Sequence, residues 1–433
     1  MHEQKILSIN KDKVSTSIGM IIVALAAIFY CYEYLLRVAP SVMNQELMAH
    51  YNINDFQLGS LTAYYYYIYA PMQIPVGLLM DRYGPKTLMI IACLSCAVGS
   101  YLFVFSDILL LAKVGRFLVG FGSSFAFVGV LKLATLLLPQ NHFAVVCGAT
   151  AALGQIGAIL GDILLTAMIR QSGWQNASIN AAIFGLILTF GLAITFRFAS
   201  KQMLERKCTK EEEEDITGKG VIKTFFELTK NIDLWKTSII GCLFWVPIAV
   251  FAEYIGIDFL KAAYNFSSEQ AAMANSMIFF GMATGGPLLT GLSNKLQSRL
   301  FLIKIGGFVS ATSIALVIFC TSMPGSCVYA LLYLTGIATS SKVIVFPMAK
   351  ELSSKKASGT AIGITNMTIM VAGVLFQPLT GFLLNQTTAI NNIHSGADFQ
   401  YALSYIPFVI AISSVIAFTT KETYRAEENE EMI

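Results

Sequence analysis

Gly77-Leu78-Leu79-Met80-Asp81-Arg82-Tyr83-Gly84-Pro85-Lys86 separates two apolar runs, and how that separation is read decides the fold. Residues 56–79 before it and 87–105 after it contain no charged side chain. A helix rises 1.5 Å per residue, so each run is long enough for the roughly 30 Å hydrocarbon core of a bilayer. Asp81, Arg82 and Lys86 then form a short polar turn at one membrane surface, between two spanning helices.

The same alternation continues through all 433 residues. Apolar runs of 18 or more residues place helices at 17–41, 56–79, 87–105, 107–132, 143–168 and 177–197, then at 235–260, 268–293, 300–321, 326–350, 357–384 and 400–420. Composition agrees: 55% of residues are hydrophobic, 13% are charged and mean hydropathy is +0.65. A soluble domain has about 25% charged residues, so this chain lacks the polar surface to cover a globule in water. A net charge of +3 is too small to imply a nucleic-acid partner. The start is not a cleavable signal, because the run from Ile18 past Tyr30 is too long for an h-region and no small-residue cleavage site follows.

Residues 198–234 are the one long hydrophilic connection, with Lys201, Arg206, Lys207 and Lys210 followed by Glu211 to Asp215. They divide the chain into a cytoplasmic N-terminus (1–16), a six-helix bundle (17–197), a linker (198–234), a second six-helix bundle (235–420) and a tail (421–433). Lys and Arg gather on one side: the N-terminus, Arg82 and Lys86, the linker, Lys295 to Lys304, Lys350 to Lys356, and Lys421 with Arg425. Little beyond Arg170 and Lys261 lies opposite. The positive-inside rule puts both termini in the cytoplasm, which requires an even number of spans. Of eight cysteines, Cys31, Cys93, Cys96, Cys147, Cys242 and Cys320 fall in apolar helices, where small residues pack between helices, and no disulfide framework is implied.

The Gly77 to Lys86 stretch resembles the G-x-x-x-D-R-x-G-x-K/R signature of the major facilitator superfamily, at the loop where that family has it. Arg116-Phe-Leu-Val-Gly120-Phe-Gly122 resembles its fourth-helix arginine motif, with Val119 where many members have glutamine. Gly148, Gly154, Gly157 and Gly161 resemble its glycine-rich fifth helix without the usual proline, and Gly291-Leu-Ser-Asn294-Lys295 looks like a decayed copy of the loop signature. The resemblance implies an all-α membrane protein: twelve transmembrane helices in two six-helix pseudo-symmetric bundles, the major facilitator fold. Gly77, Asp81, Arg82, Gly84 and Lys86 become a conformational gate. In that gate Asp81 is expected to accept backbone N–H groups at a helix N-terminus, while Arg82 and Lys86 meet carboxylates or lipid phosphates. Tyr32-Glu33, Arg116 and Phe376-Gln377-Pro378-Leu-Thr-Gly381 look most like bacterial organic-acid and phagosomal amino-acid carriers, although three residues part Glu33 from Arg37 where the organic-acid carriers tend to have acid and arginine adjacent.

An ionisable residue at the centre of a span costs about 2.5–3.5 kcal/mol on insertion scales, so each needs a reason. The deep ones are Glu33, Arg37, Lys113, Arg116, Asp162, Glu253 and Lys342, with Asp258 near the outer end of the seventh span. Glu33 and Arg37, four apart, share a helix face. By the family's architecture the first, fourth, seventh and tenth helices line the central cavity, and four of the five spans bearing deep charges are those helices. Two readings follow. In one, Arg116, with Arg37, offers a guanidinium fork to a substrate carboxylate while Glu33 binds an ammonium or takes up a proton. In the other, Glu33–Arg37 is a closed structural pair and Arg116 braces helix carbonyls. Lys342 can snorkel toward its helix end, and Lys113 likewise at the other surface.

His2, His50, His142 and His394 fall in loops or termini, so a proton relay would use carboxylates, Glu33 first, then Asp162 and Glu253. Among the tyrosines at 64 to 67 and 69, one or two line the cavity, with Tyr64 and Tyr67 as candidates, and Asn366 and Gln377 contact substrate or bridge helices. The expected function is secondary active transport of a small polar solute, an amino acid or organic acid, by alternating access. It would run as proton symport in a bacterial inner membrane, by a monomer in lipid, with no cofactor and no metal. A drug or metabolite antiporter, a uniporter and a non-transporting sensor are the rivals. An enzyme is disfavoured: there is no GxxxxGK[ST] loop, no metal-spaced His/Cys cluster and no Ser–His–Asp set.

Overall fold

The computed structural model describes residues 2–105, 107–139, 143–198, 224–354, 357–387 and 394–424, with side chains of the first helix described from Ile18. Most of the expected linker, the tail beyond Tyr424, and His142, Cys208, Lys355 and Lys356 lie outside the described residues.

Long apolar runs must satisfy their backbone internally, and every described element is helical. The first half contains α1 (His2–Val38), α2 (Asn44–Tyr51), α3 (Asp55–Met72), α4 (Pro75–Tyr83), α5 (Pro85–Leu102), α6 (Leu109–Leu137) and α7 (Phe143–Phe198). The second half contains α8 (Ile232–Val246), α9 (Gly256–Tyr264), α10 (Ser268–Lys295), α11 (Leu300–Phe319) and α12 (Gly325–Thr339). It ends with α13 (Val345–Glu351), α14 (Ser358–Asn385), α15 (Gly396–Leu403) and α16 (Tyr405–Phe418). Nine stretches among the described residues are long and apolar enough to cross a membrane. Val145–Phe198, 54 residues long, is two passes that turn at Gly173, whose φ of 82° suits glycine. The loop expected between 168 and 177 is therefore helical almost to the break. Adding α3 and α10, whose tyrosines, serines and asparagines lower their hydropathy, gives the twelve that fit the fold. His50 sits in a short helix, α2, that apolar periodicity did not announce.

Within the first half α1 lies along α7 and α6, and α5 along α6 and α7. Within the second, α8 packs on α14 and α16, and α10 on α12. Two seams join the halves, α3 against α14 and α7 against α10. Three spans break where the halves meet. After α1 the chain tightens into a 3₁₀ turn over Ala39–Val42, and between α12 and α13 into another over Ser340–Ile344. Pro247–Ile255, between α8 and α9, is a π-helix. Pro40 and Pro247 lack the N–H that continues an α-helix, which frees backbone carbonyls nearby.

On the side opposite the chain's described C-terminal end, the α3 seam is closed by a histidine. His394, 6% exposed, bonds through Nε2 to Asp55 Oδ2 at 2.9 Å and through Nδ1 to Thr387 Oγ1 at 3.1 Å. The hydrogen bond to Asp55 raises its pKa above the ordinary value, outweighing burial. A raised folded-state value stabilises the seam fully below about pH 6.5, and that contribution fades as pH rises through the folded value. Thermal unfolding in detergent is thus expected to lose part of its midpoint as pH rises through this window. His394→Gln should flatten that part, and an unchanged pH profile in the variant would remove His394 from the seam's energetics.

Candidate functional site

The breaks determine where polar side chains are needed. The π segment leaves carbonyls that three amides from three helices take up. Gln377 of α14 donates to Ala249 O, Asn275 of α10 to Ala252 O and Asn44 of α2 to Tyr254 O, at 2.8, 2.8 and 2.7 Å. Arg116 serves the end of α1 in the same way: its Nη1 donates to Leu36 O at 2.9 Å and its Nη2 to Arg37 O at 3.4 Å. Those are among the last carbonyls of a helix, which have no partner of their own. Of the two readings of Arg116, the geometry matches bracing of carbonyls.

Around these breaks the structure brings together Glu33, Arg37, Arg116, Glu253, Lys342 and Gln377, all buried, with Asp162 one helix away. Arg37 Nη2 donates to both Glu33 oxygens at 3.2 and 3.3 Å. Tyr65 adds its hydroxyl to Glu33 Oε2 at 3.2 Å, and Tyr34, Tyr65 and Tyr69 present ring faces to the guanidinium at 4.2, 5.2 and 4.9 Å. Such cation–π contacts strengthen when water is excluded. Arg37 Nε and Nη1 nevertheless remain buried without a hydrogen-bond partner. Across the interface Tyr66 donates its hydroxyl to Glu253 Oε2, and Glu253 Oε1 is unpartnered. Lys342 does not snorkel. Its ammonium lies 3.2 Å from the centroid of the Trp245 ring, within electrostatic reach of Glu253 and Arg37.

Several sequence candidates fall elsewhere. Tyr64 and Tyr67 touch each other on the outside of α3, and Tyr67 is 39% exposed. Helical phase puts Tyr65, Tyr66 and Tyr69 on the buried face instead. Lys113 stays outside with Tyr64, its Nζ 5.5 Å from that ring. Asn366 bridges the halves, donating to Gln73 Oε1 at 2.7 Å. Asp258 is partly buried and held by Asn44 Nδ2 at 2.9 Å.

The loop signature also departs from expectation. Asp81 lies in the last turn of α4, not at a helix N-terminus, and pairs with Lys132 of α6 at 2.5 Å. Arg82 rests against Tyr83 at 5.3 Å, and no carboxylate among the described residues pairs with it or with Lys86. Gly84 holds φ 75° between α4 and α5, and Gly77 has open space around it. The second half repeats the device with the charges exchanged: Arg299, beside the decayed motif, reaches Asn294 Oδ1 at 2.7 Å and Glu351 Oε1 of α13 at 3.0 Å. Sequence reading missed Lys132, Trp245, Asn275 and Glu351. Pro40 and Pro247, both inside apolar runs, were the signals for the breaks that demand them.

Residues 16–377 match the family model of the Major Facilitator Superfamily. A protein of Cupriavidus necator named as a probable sulfoacetate transporter is 22% identical over 380 residues, 84% of this chain and 87% of that one. Probable anion transporter 6 of Oryza sativa is 22% identical, covering 89% and 93%, and the hexuronate transporter of Bacillus subtilis is 22% identical, covering 90% and 94%. A bacterial homologue of the human lysosomal transporter Spinster, inward-facing and unoccupied, aligns with a TM-score of 0.73 at 14% identity over 93% of this chain and 96% of that one.

Proposed function

Because this chain belongs to the Major Facilitator Superfamily and is a multi-pass membrane transporter, not an enzyme, we propose that it carries a small organic anion by alternating access, as a proton symporter in a bacterial inner membrane with both termini in the cytoplasm. The observation that carries the reading is Arg37. A guanidinium costs several kcal/mol to desolvate, yet two of its donors are buried and unused. They suit a carboxylate or sulfonate, which accepts two parallel N–H bonds. Lys342 offers a second cation from the other half, and its ammonium has no acceptor among the described residues. The names of the relatives, which concern sulfoacetate, hexuronate and other anions, support the same class.

Arg37→Lys tests this, because lysine keeps the charge opposite Glu33 and loses the planar fork. In proteoliposomes offered labelled organic acids, amino acids and nucleosides, the wild-type protein should take up organic anions. The variant should need at least about tenfold more of the same anion for half-maximal uptake, the usual cost of a lost charge-assisted hydrogen bond. Unaltered half-saturation in Arg37→Lys would remove Arg37 from recognition.

A further inference from the structure

Asp162 is a buried carboxylate that no cation accompanies. Glu33 has Arg37, and Glu253 has the Tyr66 hydroxyl with Arg37, Lys342 and Arg116 in electrostatic reach. Asp162 has no exposed surface, and its Oδ2 accepts from Asn275 Nδ2 at 2.8 Å. Its Oδ1 has no donor. Beside it lies the Ser41 hydroxyl, which donates to Val38 O at 2.8 Å in this structure and so has lone pairs free to accept. A protonated Oδ1 can donate to Ser41; an ionised one would be stranded in apolar surroundings.

The surrounding charges point the same way. The charged group acting on Asp162 is Glu253, of like sign, from the π segment. On α1, Glu33 and Arg37 are paired together, and on α6 Arg116 is bonded to carbonyls. On α10, Glu269 is held by Arg170 at the end of α7's first pass, and α5 brings no charge beyond Lys86 at its start. The amide turns a donor, not an oxygen, toward Asp162, which suits a carboxyl group and not a metal ion. The contact also spans the interface, with Asp162 on α7, Ser41 after α1, Asn275 on α10 and Ala252 in the π segment.

We propose that Asp162 is the group that takes up the coupling proton, and that its contact with Asn275 makes closure of the α7–α10 seam conditional on that proton. The inference rests on the transport reading and names its coupling site. A carboxylate facing water on one side of the membrane gains one proton and the seam closes over the neutral acid; the proton then leaves to water on the opposite side, and its loss lets α7 and α10 part again.

The test reads the seam directly. Spin labels at Ser172→Cys and Ser268→Cys, both exposed, report the distance between α7 and α10 in a protein whose Cys208, in the hydrophilic 198–234 stretch, and exposed Cys320 and Cys327 are replaced by serine. With protons as the only ligand varied, the short-distance population should fall as pH rises in the otherwise wild-type protein. Asp162→Asn, a mimic of the neutral acid, should hold the short distance at every pH, and that distance also shows that the variant folds. In vesicles Asp162→Asn, with the seam held shut, should lose both exchange of labelled for unlabelled anion and accumulation driven by a pH gradient. A pH-independent distance in the wild-type protein, a wild-type pH response in Asp162→Asn, or gradient-driven accumulation by that variant would each overturn the proposal. If no organic anion moves through the wild-type protein at all, the transport reading fails, while the label distances still decide whether Asp162 governs the seam.

Discussion

Glu33→Gln is expected to lower stability by about 3–5 kcal/mol, because it strands the Arg37 guanidinium in a buried site. Membrane insertion does not relieve this, since Arg37 is 2% exposed and cannot reach a lipid headgroup. Its two unused donors are already unsatisfied, and the glutamine oxygen would replace two bonds to a carboxylate with one bond to an uncharged acceptor. The tyrosine rings soften the loss but do not neutralise a charge. Glu33→Gln/Arg37→Met is expected to recover most of the stability and none of the transport, since removing both members of a buried pair is far less costly than removing one. Thermal unfolding of detergent-solubilised protein measures both. A Glu33→Gln variant as stable as the wild type would refute the ion-pair role and restore Glu33 to the head of the proton-carrying candidates.

This outcome separates what the sequence could express from what it could not. The spans were legible because a bilayer demands long uncharged runs, and the loop at Asp81 was legible because polar residues between such runs have one place to go. That Glu33 and Arg37 face each other followed from a spacing of four. The partners in three dimensions did not follow. Asp81 was expected to accept backbone N–H groups, yet it faces Lys132, 51 residues later, and nothing in either segment announces that pairing. The tyrosine run failed for a different reason. Five tyrosines among six residues carry no apolar contrast, so helical phase cannot be read from hydropathy, and Tyr64 and Tyr67 were chosen over Tyr65 and Tyr66. Two places were open to Lys342, the central cluster or the helix end toward which a lysine snorkels, and nothing in the sequence pointed to the Trp245 ring over which it lies.

The glycines of α7 show the same limit and give the second large effect. By sequence Gly148, Gly154, Gly157 and Gly161 are equivalent members of one small-residue stripe. Their surroundings differ. A Cβ at Gly157 would lie 2.0 Å from the carbonyl oxygen of Cys31 and 2.8 Å from its carbon. At Gly154 and Gly161 the nearest atoms belong to the Tyr30 and Val38 side chains, and at Gly148 nothing lies within 4 Å. A side chain can rotate away; a helix backbone cannot. Gly157→Ala therefore forces α1 off α7, displacing the turn that precedes Glu33, and should cost about 3 kcal/mol or more, the upper end for overpacking. Gly148→Ala removes a flexible residue from a helix at no steric cost and should gain up to about 1 kcal/mol. The two variants differ by one methyl group on the same helix, so their unfolding midpoints compare directly. Equal midpoints would mean that α1 and α7 do not approach this closely, and the placement of Glu33 and Arg37 at the centre would fall with that contact.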